Sequence, residues 1–204
     1  MSRYTGPRLR IVRRLDTDLP GLTRKSKEKR PYPPGQHGQA RKKRPSAFGM
    51  QLTEKQKLCF NYGVSETQMR RLFAEARARK GVTGNHLLEL LERRLDNLVF
   101  RAGFAPTAVA ARQLVRHKHV LLNGRAVNIP SIRIRPGDRI QLTERARGIP
   151  VVAESLAEPA LARPEWLAFD EAAFAATVTR TPSPDEVPFP VDVQQVVEYY
   201  AVRL

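Results

Sequence analysis

Residues 87–142 constrain the fold more than any other stretch, because several local signals there agree. Leu87, Leu88, Leu91, Leu95, Leu98, Val99 and Ala102 recur at helical spacing, while Arg93, Arg94, Asp96, Asn97 and Arg101 fall elsewhere on the wheel. This spacing predicts one amphipathic helix, with Gly103 where a left-handed cap is wanted. Thr107, after Pro106, is a capping residue for a second helix with Ala110, Ala111, Leu114 and Val115 on its apolar face. Its polar side carries Arg112, Arg116 and the run His117-Lys118-His119. Val120-Leu121-Leu122, Asn123-Gly124 and Arg125-Ala126-Val127 then predict a hairpin, since a two-residue type I′ turn needs positive φ twice. Pro136-Gly137 turns the chain into a further strand, Arg139–Leu142. The expected product is an α-α-β-β-β unit with arginines on its helices and at its hairpin tip.

The flanks are less regular. Residues 1–44 show no sustained period and are punctuated by Pro and Gly, so alone they cannot offset their ordering entropy. A disordered basic tail and an arm that orders on RNA are both open readings. Tyr4, Tyr32 and His37 favour the arm, because aromatic faces stack on unpaired bases. Gly35-Gln36-His37-Gly38 permits close backbone approach. Residues 51–63 and 65–80 read as short helices, the second opened by the capping box Ser65 to Gln68, with Met69, Leu72, Phe73 and Ala76 as its apolar stripe. Beyond Leu142, residues 149–161 are partly helical, and Trp166–Phe169 and Ala175–Thr179 are strands that extend the sheet. Pro182 to Pro190 form a stiff connector. Asp192–Ala201 has helical spacing yet strand-favouring Val and Tyr, and the residues leave both readings open.

Charge narrows the function. The formal net charge is +16, and it is graded along the chain. Residues 1–44 hold 14 Lys/Arg against 3 Asp/Glu, whereas residues 148–204 hold 3 against 9. So the first three-quarters is expected to face a polyanion, and the acidic end to pack on the helices or meet a protein. Nucleic acid is favoured over membrane, since no apolar run approaches about 18 residues and no signal peptide opens the chain. Cys59 is the single cysteine, which excludes a disulfide framework and a four-cysteine zinc site and suits a reducing compartment.

No catalytic constellation is present: neither a GxxxxGK[ST] loop nor a GxGxxG turn occurs. Cys59 in a helical pattern reads as a buried thiol. His117 and His119 straddle Lys118, whose charge disfavours a metal there. Glu89, Glu92 and Asp96 beside Arg93 and Arg94 read as intrahelical ion pairs. Binding remains. Isolated arginines usually line a solvated face, but Arg112, Arg116 and Arg125 cluster beside a Gly turn, and a planar guanidinium holds phosphate bidentately. A DNA-compacting protein is disfavoured by the aromatic-containing arm and the missing groove-reading helix pair.

These residues carry a resemblance. MSRYTGPRLRIVRRL, RPYPPGQHGQ, LTEKQKL, YGVSE, LLERRLDNLVFRAGF, ARQLVRHKHVLLNGRAVNIPS and RPGD resemble the bacterial small-subunit ribosomal protein S-four family, from the first residues to EYY near the end. The opening and LPGLTRK look most like its cyanobacterial and plastid branch. The resemblance implies an α+β fold with an extended basic arm (1–46), a helical domain (47–86 plus 190–204) and an inserted domain (87–189). That domain contains an α-α-β RNA-binding unit, about residues 92–150, with a small, mainly antiparallel sheet. It implies a structural, non-enzymatic binder of small-subunit ribosomal RNA that nucleates assembly of the subunit body. It further implies contact with S-five, S-twelve nearby, influence on decoding accuracy, and a place at the messenger RNA entry channel. The related unit in some pseudouridine synthases implies an enzyme as the alternative, but the flanks are too short and irregular for a catalytic domain.

On this reading the candidate RNA contacts in the arm are Arg3, Tyr4, Arg8, Arg10, Arg13, Arg14, Arg24, Lys25, Tyr32, Gln36, His37, Arg41, Lys42, Lys43 and Arg44. The short helices add Lys55, Lys57, Arg70 and Arg71. The central unit adds Arg93, Arg94, Arg112, Arg116, His117, Lys118, His119, Asn123 and Arg125. No cofactor and no membrane partner are expected, and a monomer within the ribosome of a bacterial cytoplasm or plastid is. Three departures stand out. Leu9 and Val12 occupy the places of the first two zinc cysteines of some relatives, which implies a zinc-free arm dependent on RNA for order. Lys118 sits where the family often has a small residue. The Pro-rich connector also differs.

Overall fold

The structure, a computed structural model, describes residues 4–40 and 44–203. Arg3, Arg41, Lys42 and Lys43 of the expected contacts lie outside the described residues. In chain order the elements are helices α1 (Arg8–Leu15), α2 (Ala47–Asn61), α3 (Glu66–Ala78), α4 (Thr83–Glu92), α5 (Leu95–Arg101) and α6 (Ala108–Arg116), then strands β1 (Val120–Leu122), β2 (Arg125–Val127) and β3 (Arg139–Leu142). Helices α7 (Glu144–Arg147) and α8 (Pro150–Ala157), strands β4 (Leu167–Asp170) and β5 (Ala175–Val178), and helix α9 (Val193–Ala201) follow. The fold is α+β, with one antiparallel sheet ordered β2-β1-β3-β5-β4. Two compact units emerge, Leu88–Val187 and a discontinuous one that joins the segment ending at Leu87 to the one starting at Pro188.

In the Leu88–Val187 unit, α5 and α6 pack on the sheet. Leu98, Val99, Phe104, Ala111 and Val115 from the helical side meet Val120, Ile140, Leu142 and Trp166 in one buried cluster. The Asn123-Gly124 turn is type I′, with φ of 50° and 79°, and Leu122 pairs with Arg125 across it. Only Gly takes the second angle freely, and Asn tolerates the first better than most residues. Thr107 caps α6 by accepting from the Ala110 amide at 3.2 Å, and Pro150 opens α8 in the one helical turn that lacks a use for its missing N–H.

The expected single helix over Leu87–Ala102 is interrupted. Arg94 is extended at φ −71° and ψ 140°, and α4 ends two residues before it. The break has a partner. The Leu95 and Asp96 amides donate to Ile132 O and Pro130 O at 2.9 and 3.1 Å, and the Ile134 amide donates to Arg93 O at 2.9 Å. The strand-like segment 130–134 therefore takes the backbone groups that a continuous helix would have used.

In the discontinuous unit, α9 is helical, which settles the open reading of Asp192–Ala201: Asp192 accepts from the Gln194 and Gln195 amides. It packs on α2 and α3, with Tyr200 5.0 Å from the Phe73 ring. Residues 4–40 are more structured than their sequence suggests. Ile11, Val12 and Leu15 form the buried stripe of α1, and Leu19 and Leu22 continue it. A stripe this short, set among four arginines in RLRIVRRL, shows no sustained period, yet it is enough to dock one face. Gly21 allows the approach, since its amide reaches Asn61 Oδ1 at 2.9 Å and a Cβ would stand 2.3 Å from Asn61 O.

Leu19→Ala tests whether this segment belongs to the core. We expect a loss of about 2–4 kcal/mol in denaturant unfolding, as for a buried leucine; a loss within about 0.5 kcal/mol returns the segment to a solvated tail.

Candidate nucleic-acid interface

The polar side of α5 turns inward. Arg94 Nε and Nη2 donate to Asp96 Oδ1 and Oδ2 at 3.0 and 2.7 Å, and Arg112 Nη1 reaches from α6 to Asp96 Oδ2 at 2.9 Å. Arg94 and Asp96 are 4% and 2% exposed. Beside them Glu92 accepts from Asn97 Nδ2 at 2.9 Å and lies 3.6 Å from Arg101 Nε. Of the expected pairs, Glu89–Arg93 forms along one helical turn at 2.7 Å, and Arg93 Nε also donates to Ile134 O. The helix break swings Arg94 and Asp96 into the interior, where ions persist only when paired. Arg93, Arg94 and Arg112, expected as RNA contacts, thus have their guanidinium groups engaged by carboxylates of the protein.

The cations that stay outward lie past the end of α6 and around the hairpin. Arg116, His117, Lys118 and Arg125 are exposed, and His119 is half-buried. Lys118 has φ 61°, and the Lys118 and His119 amides close the helix on Val115 O and Leu114 O, each at 3.0 Å. Glycine is the usual residue in such a cap, which is a physical reason for a small residue there and a cost of about 1 kcal/mol for a lysine. The His117 and His119 rings lie 6.1 Å apart. Partial burial, then His117 and Arg145, hold the His119 imidazole below its ordinary pKa. Exposed Arg133, Arg135, Arg139 and Arg145 were absent from the sequence-based set, although the alternation in RIRPGDR displays three of them. Asn123, in contrast, spends its side chain internally: Nδ2 donates to Asp138 Oδ1 and Oδ1 accepts from the Arg139 amide, both at 2.8 Å.

In the discontinuous unit several expected contacts are likewise spoken for. Arg13 donates to Tyr32 O and Pro33 O at 2.9 and 3.3 Å and lies 4.9 Å over the Tyr32 ring, so one face of that ring is covered. Gly38 meets this turn closely, with a Cβ position 2.0 Å from Pro33 O, as the glycine pattern suggested. Arg14 donates to Gln56, and Lys57 pairs with Glu54. Lys55 and Arg70 both meet Glu66. Burial alone raises the Glu66 carboxyl, but the Lys55 ammonium and the hydrogen bonds from Lys55, Tyr200 and Arg70 outweigh it and hold the pKa below its usual range. Burial pushes the Cys59 thiol up to about 12, which leaves it unreactive. Arg10, Arg24, Lys25, Gln36, His37, Arg44 and Arg71 are exposed, Arg8 is half-buried, and Tyr4 is 45% exposed with its hydroxyl on Pro7 O. Lys29 and Arg30 are exposed as well and were not anticipated.

Comparison with known proteins decides what this arrangement belongs to. A family model described as Ribosomal protein S4/S9 N-terminal domain matches residues 3–92, and one described as S4 domain matches residues 93–140. The small ribosomal subunit protein uS4 of Methylobacillus flagellatus is 62% identical over 205 residues, covering 100% of both chains. Protein uS4B of Nitrosomonas europaea is 58% identical over the same span, and uS4 of Synechococcus elongatus is 54% identical, again over 100% of both chains. The chain belongs to the ribosomal protein S4 family. This is a family of structural ribosomal proteins, not enzymes. Its two matched models meet between Glu92 and Arg93, where α4 ends and the helix break begins.

Two measurements test this site. Asp96→Asn removes the charge that two guanidinium groups share, and about 3–5 kcal/mol of stability should go with it in denaturant unfolding; an effect below about 1 kcal/mol contradicts the buried network. A bound polyanion raises the depressed His119 pKa, so RNA affinity should rise as pH falls from about 8 to about 5.5, and His119→Gln should flatten that rise. A slope unchanged in His119→Gln removes His119 from the interface.

Proposed function

We propose that this chain is an RNA-binding constituent of the small ribosomal subunit in a bacterial cytoplasm, and that its exposed cations hold folded ribosomal RNA. The observation that carries the reading is the end-to-end match to small-subunit relatives in a chain of net charge +16. A-form RNA hides its base edges in a deep groove, so a rigid basic surface reads backbone shape, junctions and unpaired loops. Arg116, Lys118, His117, His119 and Arg125 supply phosphate contacts from the Leu88–Val187 unit. Arg10, Arg24, Lys25, Gln36, His37, Arg44 and Arg71 supply them from the other unit, with Tyr4 offering a partly open ring. Residues 1–46 act as an RNA-contacting arm, 47–86 with 190–204 as its helical support, and 87–189 as the second RNA-binding domain.

The same reading carries finer roles. Early binding of a multi-helix junction nucleates the body of the subunit, and the protein lines the messenger RNA entry channel. Phe48, Met50 and Val202 are 48, 42 and 82% exposed, and Phe48 stacks on Tyr199 at 6.0 Å. Exposed apolar side chains on α2 and just past the end of α9 suit a protein neighbour better than RNA. We assign them to S-five, with S-twelve nearby, and through that contact to decoding accuracy.

A salt titration tests the central part. Affinity for transcribed small-subunit ribosomal RNA should fall steeply with salt, with a log–log slope that reports several neutralised phosphates, and duplex DNA should bind more weakly. The Arg116→Ala, Lys118→Ala, Arg125→Ala triple variant should keep its unfolding midpoint and lose about 1–3 kcal/mol of RNA binding per direct contact. Equal affinity for RNA and DNA, or a triple variant that binds as the parent does, contradicts the proposal.

A further inference from the structure

The free end of the sheet is built from two turns that the pairing of β1 with β3 brings together: Asn123-Gly124, and Pro136-Gly137 before Asp138. Asp138 is half-buried among arginines, and both its oxygens are used. Oδ1 takes Asn123 Nδ2 at 2.8 Å and Oδ2 takes the Arg135 amide at 2.7 Å. Asn123 closes the circuit, since its amide donates to Arg139 O and its Oδ1 accepts from the Arg139 amide, each at 2.8 Å. Three of these short bonds join one turn to the other and the fourth, from the Arg135 amide to Asp138, closes the second turn on itself, although every group in them is near solvent.

What the weld positions is charge. Arg125 pairs with Leu122, which faces Ile140, so Arg125 shares the core-facing side of the sheet at its exposed end. Arg139 precedes Ile140, so the pleat aims it to the opposite side, where it meets Asp170 at 3.4 Å. Basic groups therefore stand on both sides of a thin, rigid tip. A single duplex groove needs cations on one side; two RNA strands that diverge at a junction need them on both.

We infer that the Asn123–Asp138 pair is a positioning latch that makes the two-turn tip a rigid wedge, with Arg125 and Arg139 gripping RNA backbone on its opposite sides. Neither residue of the latch touches RNA. The inference rests on the RNA-binding reading above, and it assigns Asn123 a different part in it.

Asn123→Asp is the informative change. Aspartate keeps the size of the side chain and tolerates positive φ much as asparagine does, so the turn survives while a donor becomes a second carboxylate facing Asp138. The full chain should bind transcribed small-subunit ribosomal RNA about tenfold more weakly, with the salt slope reduced by about one phosphate. Asn123→Asp with Asp138→Asn exchanges donor and acceptor across the pair and should restore both affinity and slope. Parental affinity in the single variant overturns the latch, as does a double variant that folds but remains weak. Failure of the parent chain to bind this RNA instead overturns the family-based reading. Loss of binding in Arg125→Ala but not in Arg139→Ala, with both folded, overturns the two-sided grip.

Discussion

One carboxylate, Asp96, sets the geometry of the Leu88–Val187 unit. It is 2% exposed and takes three hydrogen bonds from two guanidinium groups, one on its own segment and one from α6. A buried carboxylate without such partners costs several kcal/mol, and a buried arginine no less, so each group is kept in place by the other two. The consequences spread outward. Arg94 can reach Asp96 only from extended backbone, which ends α4 and presents the Arg93, Leu95 and Asp96 main chain to the 130–134 segment. That segment leads directly into the second turn and β3, and hence into the sheet that carries the hairpin.

Basic residues in this chain accordingly divide into two populations. Arg93, Arg94, Arg101 and Arg112 are held by carboxylates and carbonyls of the protein, with Arg101 Nη2 donating to Glu186 O at 2.9 Å. Arg13 and Lys27 do the same in the first forty residues, where Lys27 Nζ meets Asp16 O and Asp16 Oδ1 at 2.6 and 2.7 Å, and Ser26 donates to Asp18. Protein contacts of this kind are thus present within residues 4–40, in the segment expected to take its order from RNA. Arg116, Lys118, Arg125, Arg135 and Arg145, in contrast, are exposed, on turns and helix ends of the Leu88–Val187 unit. Rigid placement matters because a phosphate contact made by an already ordered side chain loses less entropy on binding.

The elements that carry their own local signal were readable in the sequence. Asn123-Gly124 specifies its turn by backbone sterics, Ser65 and Gln68 form the expected capping box, and Thr107 caps α6. The strands beyond Trp166 were also readable, and they extend the sheet as expected. What the sequence hid depends on partners distant in the chain. Nothing local distinguishes Arg94, inside the core, from Arg116, outside it, because the difference is made by Asp96 and by carbonyls at 130–134. Helix α1 escaped notice for the opposite reason: three apolar residues among arginines suffice once Asn61 and Leu58 offer a surface, but they make no period. Asn123 and Lys118 were singled out as contacts, and what their sequence neighbours did not show is that Asn123 hydrogen-bonds Asp138 and that Lys118 holds positive φ just past α6.

The account turns on the helix break being a permanent, buried feature. Native-state hydrogen exchange at the Leu95, Asp96 and Ile134 amides addresses it directly, since these three groups bond to Ile132 O, Pro130 O and Arg93 O across the break. They should exchange only through global unfolding, at a free energy equal to that from denaturant and with the same denaturant dependence. Exchange through a local opening well below the global value, with α4 and α5 otherwise protected, would show that the charged strip is a loose joint and that the exposed cations beyond it have no rigid mount.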